Sequence, residues 1–300
     1  MTQAAHFCLH SVFKRNYTIG KQENVSPLLF AATCSANLSL HLNPAPVNYS
    51  CTVLYDREFI FSYLEVIMKI GIIGAMDVEV AYLKEQMNVK NVVKKAGMEF
   101  FEGSIGSMPV VVVRSGVGKV NAGICVQILA DLFGVTHVLN TGVAGSLNND
   151  INIGDIVVST SAMYHDVDAT VFGYQKGEIP QMGVVSFPAD EGLRQAAVRA
   201  VQETAPDVQV FEGQIISGDQ FISSREVKQK LMRDFHGFCA EMEGAAIAQT
   251  AYLNKIPFVI IRAISDKADE SVQESYDVFE PKAARHCAAI VEYMLSHMTA

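Results

Sequence analysis

Acidic side chains that could exchange protons with a substrate occur at three separate places in the chain. The first follows a short apolar run closed by glycine, the second precedes an alanine-rich stretch, and the third follows the most apolar run of the sequence. Carboxyl groups serve as general acids or bases when their surroundings move the pKa toward neutrality. We therefore expect that Asp266, which follows the most apolar run, could serve as a general acid, and we single out Glu79, Glu241 and Glu243 as further candidate site residues.

Each of these residues also has a purely structural interpretation. Glu79 falls in the first turn of an expected helix, where the helix dipole favours an acidic side chain. Ser265 or Asp266 could cap a helix. Glu241 and Glu243 are two residues apart and cannot share one helical face, so if both have roles, the roles differ. One could cap the helix while the other accepts hydrogen bonds from sugar hydroxyls.

A polar, glycine-containing segment with the sequence Ser-Gly-Asp-Gln-Phe-Ile covers residues 217–222. At the end of a strand, its main chain could offer N–H and C=O groups to a planar base, with Phe221 stacked on the ring. The same segment could be an ordinary turn with Phe221 in the core.

Two other motifs carry weaker signals. The glycines of 71–74 and of 116–118 lack the third glycine of the dinucleotide fingerprint, which argues against a nicotinamide or flavin site. The stretch Tyr164-His165-Asp-Val-Asp168 places His and Asp close together, but no second cluster completes a set of metal ligands. We therefore expect no metal.

The elements that would position these groups alternate between strands and helices. Short β-branched runs alternate with amphipathic stretches, which predicts one three-layer αβα domain around a central mixed, twisted sheet. The expected strands are 69–75, 99–104, 109–114, 137–142, 154–159, 208–217 and 257–264; the expected helices are 77–87, one opened by 115–121 and ending near 133, 190–204, 242–254 and 280–298.

Composition changes near Met68. Residues 1–67 hold one of the 21 glycines, three of the six cysteines and 4 basic against 4 acidic residues, whereas 68–300 hold 19 basic and 28 acidic residues. The run 25–34 is a poor match to a secretory signal, and codons for residues 64–67 can contain a GGAGG ribosome-binding sequence. We expect 1–67 to be a disordered extension or a mis-assigned start, and 68–300 to be the folded domain.

Charge and cysteine usage limit the partners. The net charge of −9 argues against nucleic acid, and no apolar run reaches the eighteen or so residues that a membrane span needs. The cysteines after Met68 are Cys125, Cys239 and Cys287. Their odd number and apolar surroundings predict buried free thiols in a reducing, cytoplasmic compartment.

Taken in order, the motifs resemble those of bacterial 5′-methylthioadenosine/S-adenosylhomocysteine nucleosidases over nearly all of 68–300. The matching segments are Gly-Ile-Ile-Gly-Ala-Met (71–76) with Glu79, Ser-Gly-Val-Gly-Lys (115–119), Asn-Thr-Gly-Val-Ala-Gly (140–145), Tyr-His-Asp (164–166), Ser-Gly-Asp-Gln-Phe-Ile (217–222), Glu-Met-Glu (241–243) and Arg-Ala-Ile-Ser-Asp (262–266). Residues 1–67 have no counterpart in the family. Arg114 stands where Lys is frequent, and Val143 stands where Ser can occur.

The resemblance implies the nucleoside phosphorylase fold and hydrolysis of the N-glycosidic bond between adenine and a thio-substituted ribose, in methionine salvage and the activated methyl cycle. It implies Asp266 as the general acid at adenine N7 and Glu79 as the base for the attacking water. Glu243 would hold the ribose hydroxyls. No metal or organic cofactor is implied.

Further residues carried over from the family bind substrate. The main chain of Ile222 would read adenine, Phe221 would pack on its face, and Ser265 would position Asp266. Met76, Gly145 and Met242 would line the pocket, Tyr276 would lie in a mobile segment over the thioalkyl group, and Phe172 and Pro180 would reach the neighbouring pocket of a homodimer.

Two alternatives stay open at this point. A nucleoside phosphorylase of the same fold would use phosphate instead of water, although Glu79 would repel phosphate at the attacking position. A nucleoside-binding module without activity would need the pocket but not three carboxylates.

Overall fold

The computed structural model describes residues 68–298, apart from the side chains of 272–282. Residues 1–67, 299 and 300 lie outside this description, and with them the expectation for an N-terminal extension. The side chain of Tyr276 is also outside it.

The described chain contains ten strands, six α-helices and a short 3-10 helix at Thr170–Phe172. The strands are β1 (Ile70–Gly74), β2 (Asn88–Lys95), β3 (Met98–Ile105), β4 (Met108–Arg114), β5 (His137–Ser146), β6 (Ile156–Tyr164), β7 (Phe187–Pro188), β8 (Val210–Ser217), β9 (Cys239–Glu241) and β10 (Phe258–Asp266). The helices are α1 (Asp77–Gln86), α2 (Lys119–Phe133), α3 (Glu191–Thr204), α4 (Arg225–Phe235), α5 (Gly244–Asn254) and α6 (Val272–His297).

The strands form one mixed sheet that closes on itself at one end. Strand β10 pairs in parallel with β5 and antiparallel with β6, while β8 and β9 complete a ring in the order β10, β6, β8, β9, β5. From β5 the sheet continues through β1, β4, β3 and β2. The mixed α/β architecture predicted from the sequence is therefore confirmed, and the partial closure is an additional feature.

Helices cover both faces of the sheet and give the predicted three layers. On one face, Leu129 of α2 and Ile247 of α5 pack in a cluster with the sheet. On the other, Leu83 of α1, Leu193 of α3 and Val291 of α6 belong to a second cluster. Every residue of β10 is buried, as expected for a strand covered on both sides.

Several boundaries differ from the sequence-based expectation. Helix α6 begins at Val272 rather than at 280, and α5 begins at Gly244 rather than at 242. Strand β2 was missed because its exposed, lysine-containing sequence lacks an apolar face, which is common at a sheet edge. Strands β7 and β9 have only two and three residues, too few for a periodic pattern.

Helix α4 was also missed, although its sequence carries a usable signal. Leu231 and Phe235, four residues apart, are buried, and the remaining positions are mostly charged or polar. This apolar spacing is typical of an amphipathic helix. The predicted buried free thiols are confirmed at Cys125, Cys239 and Cys287. Within residues 68–298, no helix is long and apolar enough to cross a bilayer.

The two faces of α2 provide a test of this packing. Leu129 is fully buried, whereas Leu132, on the same helix, is 55% exposed. Leu129→Ala is expected to lower the free energy of unfolding by about 2–5 kcal/mol because it leaves a cavity. Leu132→Ala should change it by less than about 0.5 kcal/mol. Urea denaturation of both variants measures the difference, and equal losses would contradict the placement of α2.

Candidate active site

A cavity of about 160 Å³ opens where β1, β5 and β10 end. These three strands run parallel, and ligands of open α/β sheets gather beyond the carboxyl ends of such strands. The lining residues are Ala75, Met76, Glu79, Val117, Val143, Ala144, Gly145, Gln220, Phe221, Ile222, Ala240, Glu241, Met242, Glu243, Ser265 and Asp266. All four acidic residues singled out in the sequence therefore meet in one cavity.

Glu79 is held at the cavity by backbone N–H groups that follow β1 and by one within β5. Its Oε2 accepts hydrogen bonds from Ala75 N at 2.6 Å and Met76 N at 3.0 Å, and its Oε1 accepts one from Val143 N at 3.1 Å. The side chain is 4% exposed. Burial raises the pKa of Glu79, while the Arg262 charge and the three N–H groups act against that rise. Glu79 thus caps α1 and also faces the cavity.

Two glycines of β5 make room for carboxylates. A Cβ at Gly142 would lie 2.3 Å from Glu79 Oε1, and a Cβ at Gly145 would lie 2.8 Å from Asp266 Oδ1. The two glycines are three residues apart, so about 10 Å of extended strand separates them. Glu79 and Asp266 therefore rest on different parts of β5, and any other side chain at these positions would displace them.

Glu243 is the residue that precedes α5. Its Oε1 accepts a hydrogen bond from Gly118 N at 2.8 Å, at the start of α2. Burial, followed by the charge of Glu241, raises the pKa of Glu243 to about 7. Glu243 is therefore poised to change its charge near neutral pH.

Glu241 has different surroundings from Glu243, as the sequence predicted. It ends β9 and forms a buried ion pair with Arg262 of β10, with 2.5 Å between Arg262 Nη2 and Glu241 Oε2. It also accepts hydrogen bonds from Ser217 Oγ and from Gly244 N, the latter at 2.8 Å to Oε2. The carboxylate of Glu241 is thus fully engaged in holding the base of the cavity.

Asp266 owes its direction to an irregularity in β10. Residues Ile264 and Asp266 pair with consecutive residues of β5, so Ser265 is an extra residue in the strand. Such bulges redirect side chains next to active sites. Asp266 Oδ2 accepts from Ser265 Oγ at 2.8 Å and Oδ1 from Ala268 N at 2.7 Å. Burial raises the pKa of Asp266 against these two bonds.

The segment 217–222 forms one wall of the cavity. Ser217 is buried and contributes its hydroxyl to Glu241, whereas Gln220, Phe221 and Ile222 face the cavity. Phe221 is 56% exposed, so it belongs to the cavity mouth and not to the core.

Most of the predicted site residues are brought together. Nine line the cavity, namely Met76, Glu79, Gly145, Phe221, Ile222, Met242, Glu243, Ser265 and Asp266. Phe172 and Pro180 do not line it and lie exposed on the surface. Tyr276 is outside the described side chains.

Sequence reasoning missed the buried groups under the cavity. Arg262 lies in a strand that the sequence predicts as apolar, yet its Nη2 donates to Asn140 Oδ1 and to Glu241. Asn140 in turn donates to Ile73 O at 2.9 Å. An arginine within an otherwise apolar run is a usable signal, because a charge in such a place requires a buried partner. Where side chains are described, no group of three or more His, Cys, Asp or Glu residues could hold a metal ion.

Comparisons with known proteins agree with this geometry. The profile described as Phosphorylase superfamily matches residues 69–296. The 5′-methylthioadenosine/S-adenosylhomocysteine nucleosidase of Psychromonas ingrahamii is 40% identical over 232 residues, which cover 77% of this chain and all of that protein. The nucleosidase of Staphylococcus aureus strain JH9 is 40% identical over 230 residues, again covering all of its length.

Solved structures give the same result. The nucleosidase of Colwellia psychrerythraea 34H in complex with adenine matches with a TM-score of 0.73 and 39% identity, covering 76% of this chain and 95% of that one. The Neisseria meningitidis enzyme in complex with methylthio-immucillin-A has a TM-score of 0.74 and 39% identity, with coverages of 77% and 99%. Futalosine hydrolase of Helicobacter pylori has a TM-score of 0.73 and 34% identity, with the same coverages. This chain therefore belongs to the 5′-methylthioadenosine/S-adenosylhomocysteine nucleosidases of the phosphorylase superfamily.

Proposed function

We propose that this protein hydrolyses the N-glycosidic bond of 5′-methylthioadenosine and S-adenosylhomocysteine, and so releases adenine and the thioribose product. The observation that carries the proposal is the meeting of Glu79, Glu243 and Asp266 in one cavity. Three carboxylates in different surroundings supply an acid, a base and a charged sugar ligand. The Colwellia relative binds adenine, which is the base that this reaction releases, and the Neisseria relative binds methylthio-immucillin-A.

Each carboxyl group has one part in the reaction. Asp266, whose pKa is raised, donates its proton to adenine N7 as the bond between C1′ and N9 breaks and its electron pair passes to the base. Glu243 accepts hydrogen bonds from the ribose hydroxyls, and its negative charge stabilises the oxocarbenium-like sugar. Glu79 takes a proton from the water that attacks C1′. Exchange with solvent then restores both protonation states.

The remaining cavity residues fit the two ends of the substrate. The main chain of Ile222 reads adenine, with Phe221 over its face, and Met76, Gly145 and Met242 line the pocket. Ser265 orients Asp266 through its hydrogen bond of 2.8 Å. The domain 68–300 carries out this reaction in the cytoplasm, where it serves methionine salvage and the activated methyl cycle.

A homodimer completes the pocket in this proposal. Val171 and Phe172 are 84% and 80% exposed, and Val120 on α2 is 72% exposed. Contiguous exposed apolar patches mark interaction surfaces, and the adjacent Val171 and Phe172 are the side chains that we assign to this contact. Phe172 and Pro180 reach the neighbouring subunit's pocket, which explains why they lie outside their own.

Replacement of the acid tests the enzymatic proposal. Asp266→Asn is expected to lower kcat for adenine release by about 10²- to 10⁴-fold while nucleoside binding persists, because only the proton donor is lost. Asp207→Asn, which changes an exposed carboxylate that does not line the cavity, is the matched control and should keep the kcat of the unmodified protein. Substrates are 5′-methylthioadenosine, S-adenosylhomocysteine and, as a control for the base, inosine. No release by the unmodified protein would favour a binding module, and reaction of inosine alone would contradict adenine recognition.

The pH dependence follows from the raised pKa of Glu243. Glu243 must be ionised to act on the sugar. A plot of kcat/KM against pH should therefore have a rising limb with its midpoint near pH 7. The limb near pH 7 should disappear in Glu243→Gln, whose residual activity is measured over the same range. Persistence of that limb in the variant would contradict the assignment.

The subunit proposal has its own test. Phe172→Asp is expected to shift the protein toward monomer in sedimentation velocity and to raise KM, because a charge is placed in an apolar contact. Val92→Asp, at a 43% exposed position of β2, is the matched control and should leave the size unchanged. A dimer of unaltered stability in Phe172→Asp would contradict the role given to Phe172.

A further inference from the structure

The motif Tyr164-His165-Asp166 has no part in the chemistry proposed above, yet it lies beside the cavity. Asp166 belongs to a group of three charged side chains, Lys119, Asp166 and Asp219, which we call the Lys119 cluster. Lys119 Nζ is 2.6 Å from Asp166 Oδ2 and 3.8 Å from Asp219 Oδ2. The ammonium group of Lys119 thus supplies the positive charge that these two carboxylates need.

The cluster joins three chain segments that are far apart in sequence. Lys119 begins α2, Asp166 follows β6, and Asp219 follows β8. Asp219 N also donates to Asp166 Oδ2 at 3.0 Å, so one carboxylate oxygen receives both an ammonium and a backbone N–H. The side chains of Lys119 and Asp166 are only 23% and 16% exposed, which strengthens the pair relative to one in open water.

Two consecutive backbone amides connect this cluster to the sugar-binding carboxylate. Gly118 N donates to Glu243 Oε1 at 2.8 Å, and the next amide, Lys119 N, donates to Asp219 Oδ1 at 2.9 Å. Gly118 has φ +98°, and a Cβ there would lie 3.1 Å from Asp219 Oδ1. The start of α2 is therefore held between Glu243 and Asp219.

Asp219 also leads directly into the wall that faces the base. The three residues after it, Gln220, Phe221 and Ile222, line the cavity. A shift of Asp219 would move this wall and would also free Lys119 N, the amide next to Gly118 N, which binds Glu243. Asp219 thus contacts both the segment that faces adenine and the start of α2, which binds Glu243.

We propose that Lys119, Asp166 and Asp219 are positioning residues that fix Glu243 relative to the adenine-reading segment, so that ribose and base are bound in a single geometry. The inference rests on the proposed nucleosidase function and extends it. None of the three side chains lines the cavity, and each acts through Gly118 or through residues 220–222. Small displacements of such groups are costly to catalysis, about 10²-fold in rate for 1 Å.

The test compares two substrates in matched variants. 5′-Methylthioadenosine carries the 2′-hydroxyl that Glu243 would bind, and its 2′-deoxy analogue lacks it. In Lys119→Met, kcat/KM for the ribose substrate should fall by about 10- to 100-fold, and the ratio of ribose to deoxyribose kcat/KM should fall by about tenfold. Lys94→Met, which breaks an exposed pair of 2.7 Å with Glu99, is the control and should keep both values.

The ratio separates positioning from a general loss of structure. A disturbed fold or a loosened adenine wall slows both substrates equally and leaves the ratio unchanged, and that result in Lys119→Met would overturn the inference. So would kinetics in Lys119→Met indistinguishable from those of Lys94→Met. If Lys119→Met does not fold, Asp219→Ala gives the same test, because its side chain is 50% exposed and removing it leaves no cavity.

Failure of the underlying function gives a different result. Without it, the unmodified protein releases no adenine from either substrate. Release by the unmodified protein with an unchanged ratio in the variants contradicts only the role of the Lys119 cluster.

Discussion

The ion pair between Arg262 and Glu241 is the constraint on which the cavity depends. Arg262 is 2% exposed and Glu241 8%, so each charge relies on the other for compensation. Removing one partner of such a pair costs about 3–5 kcal/mol, because the other charge stays buried and unpaired. Through Asn140 and Ser217 the pair links β10 and β9 to β5 and β8, four strands of the closed ring. The ion pair thereby gives the acidic residues of the cavity a rigid support.

That support gives the carboxyl groups different environments. Glu241 also accepts hydrogen bonds from Glu243 N and Gly244 N. These bonds fix the start of α5 and the position of Glu243 just before it. Glu243 itself has one hydrogen bond from Gly118 and a pKa raised to about 7. Asp266, turned inward by the extra residue in β10, has a raised pKa of its own. Differences of this kind allow neighbouring carboxyl groups to act as acid, base and charged ligand.

Particular residues explain what the sequence could and could not predict. Glu79, Glu243 and Asp266 were singled out because each adjoins a predicted helix or strand, and their roles came from the family resemblance. The carboxyl ends of parallel strands converge, which fits their meeting in one cavity. The ion pair between Arg262 and Glu241 was missed. The two residues are 21 positions apart in the sequence, and their strands come close only because the sheet closes on itself. Strands β7 and β9 were missed for lack of length, and the bulge at Ser265 leaves no trace in residue pattern. Local periodicity thus predicts elements, while tertiary closure decides the contacts between them.

In the proposed reaction, water activated at Glu79 attacks the sugar while adenine leaves. Turnover of 5′-methylthioadenosine in ¹⁸O-labelled water, with and without added phosphate, tests this most directly by mass analysis of the sugar product. We expect one ¹⁸O atom at C1 of free methylthioribose and a rate that does not depend on phosphate. A sugar 1-phosphate that forms only when phosphate is present would contradict it.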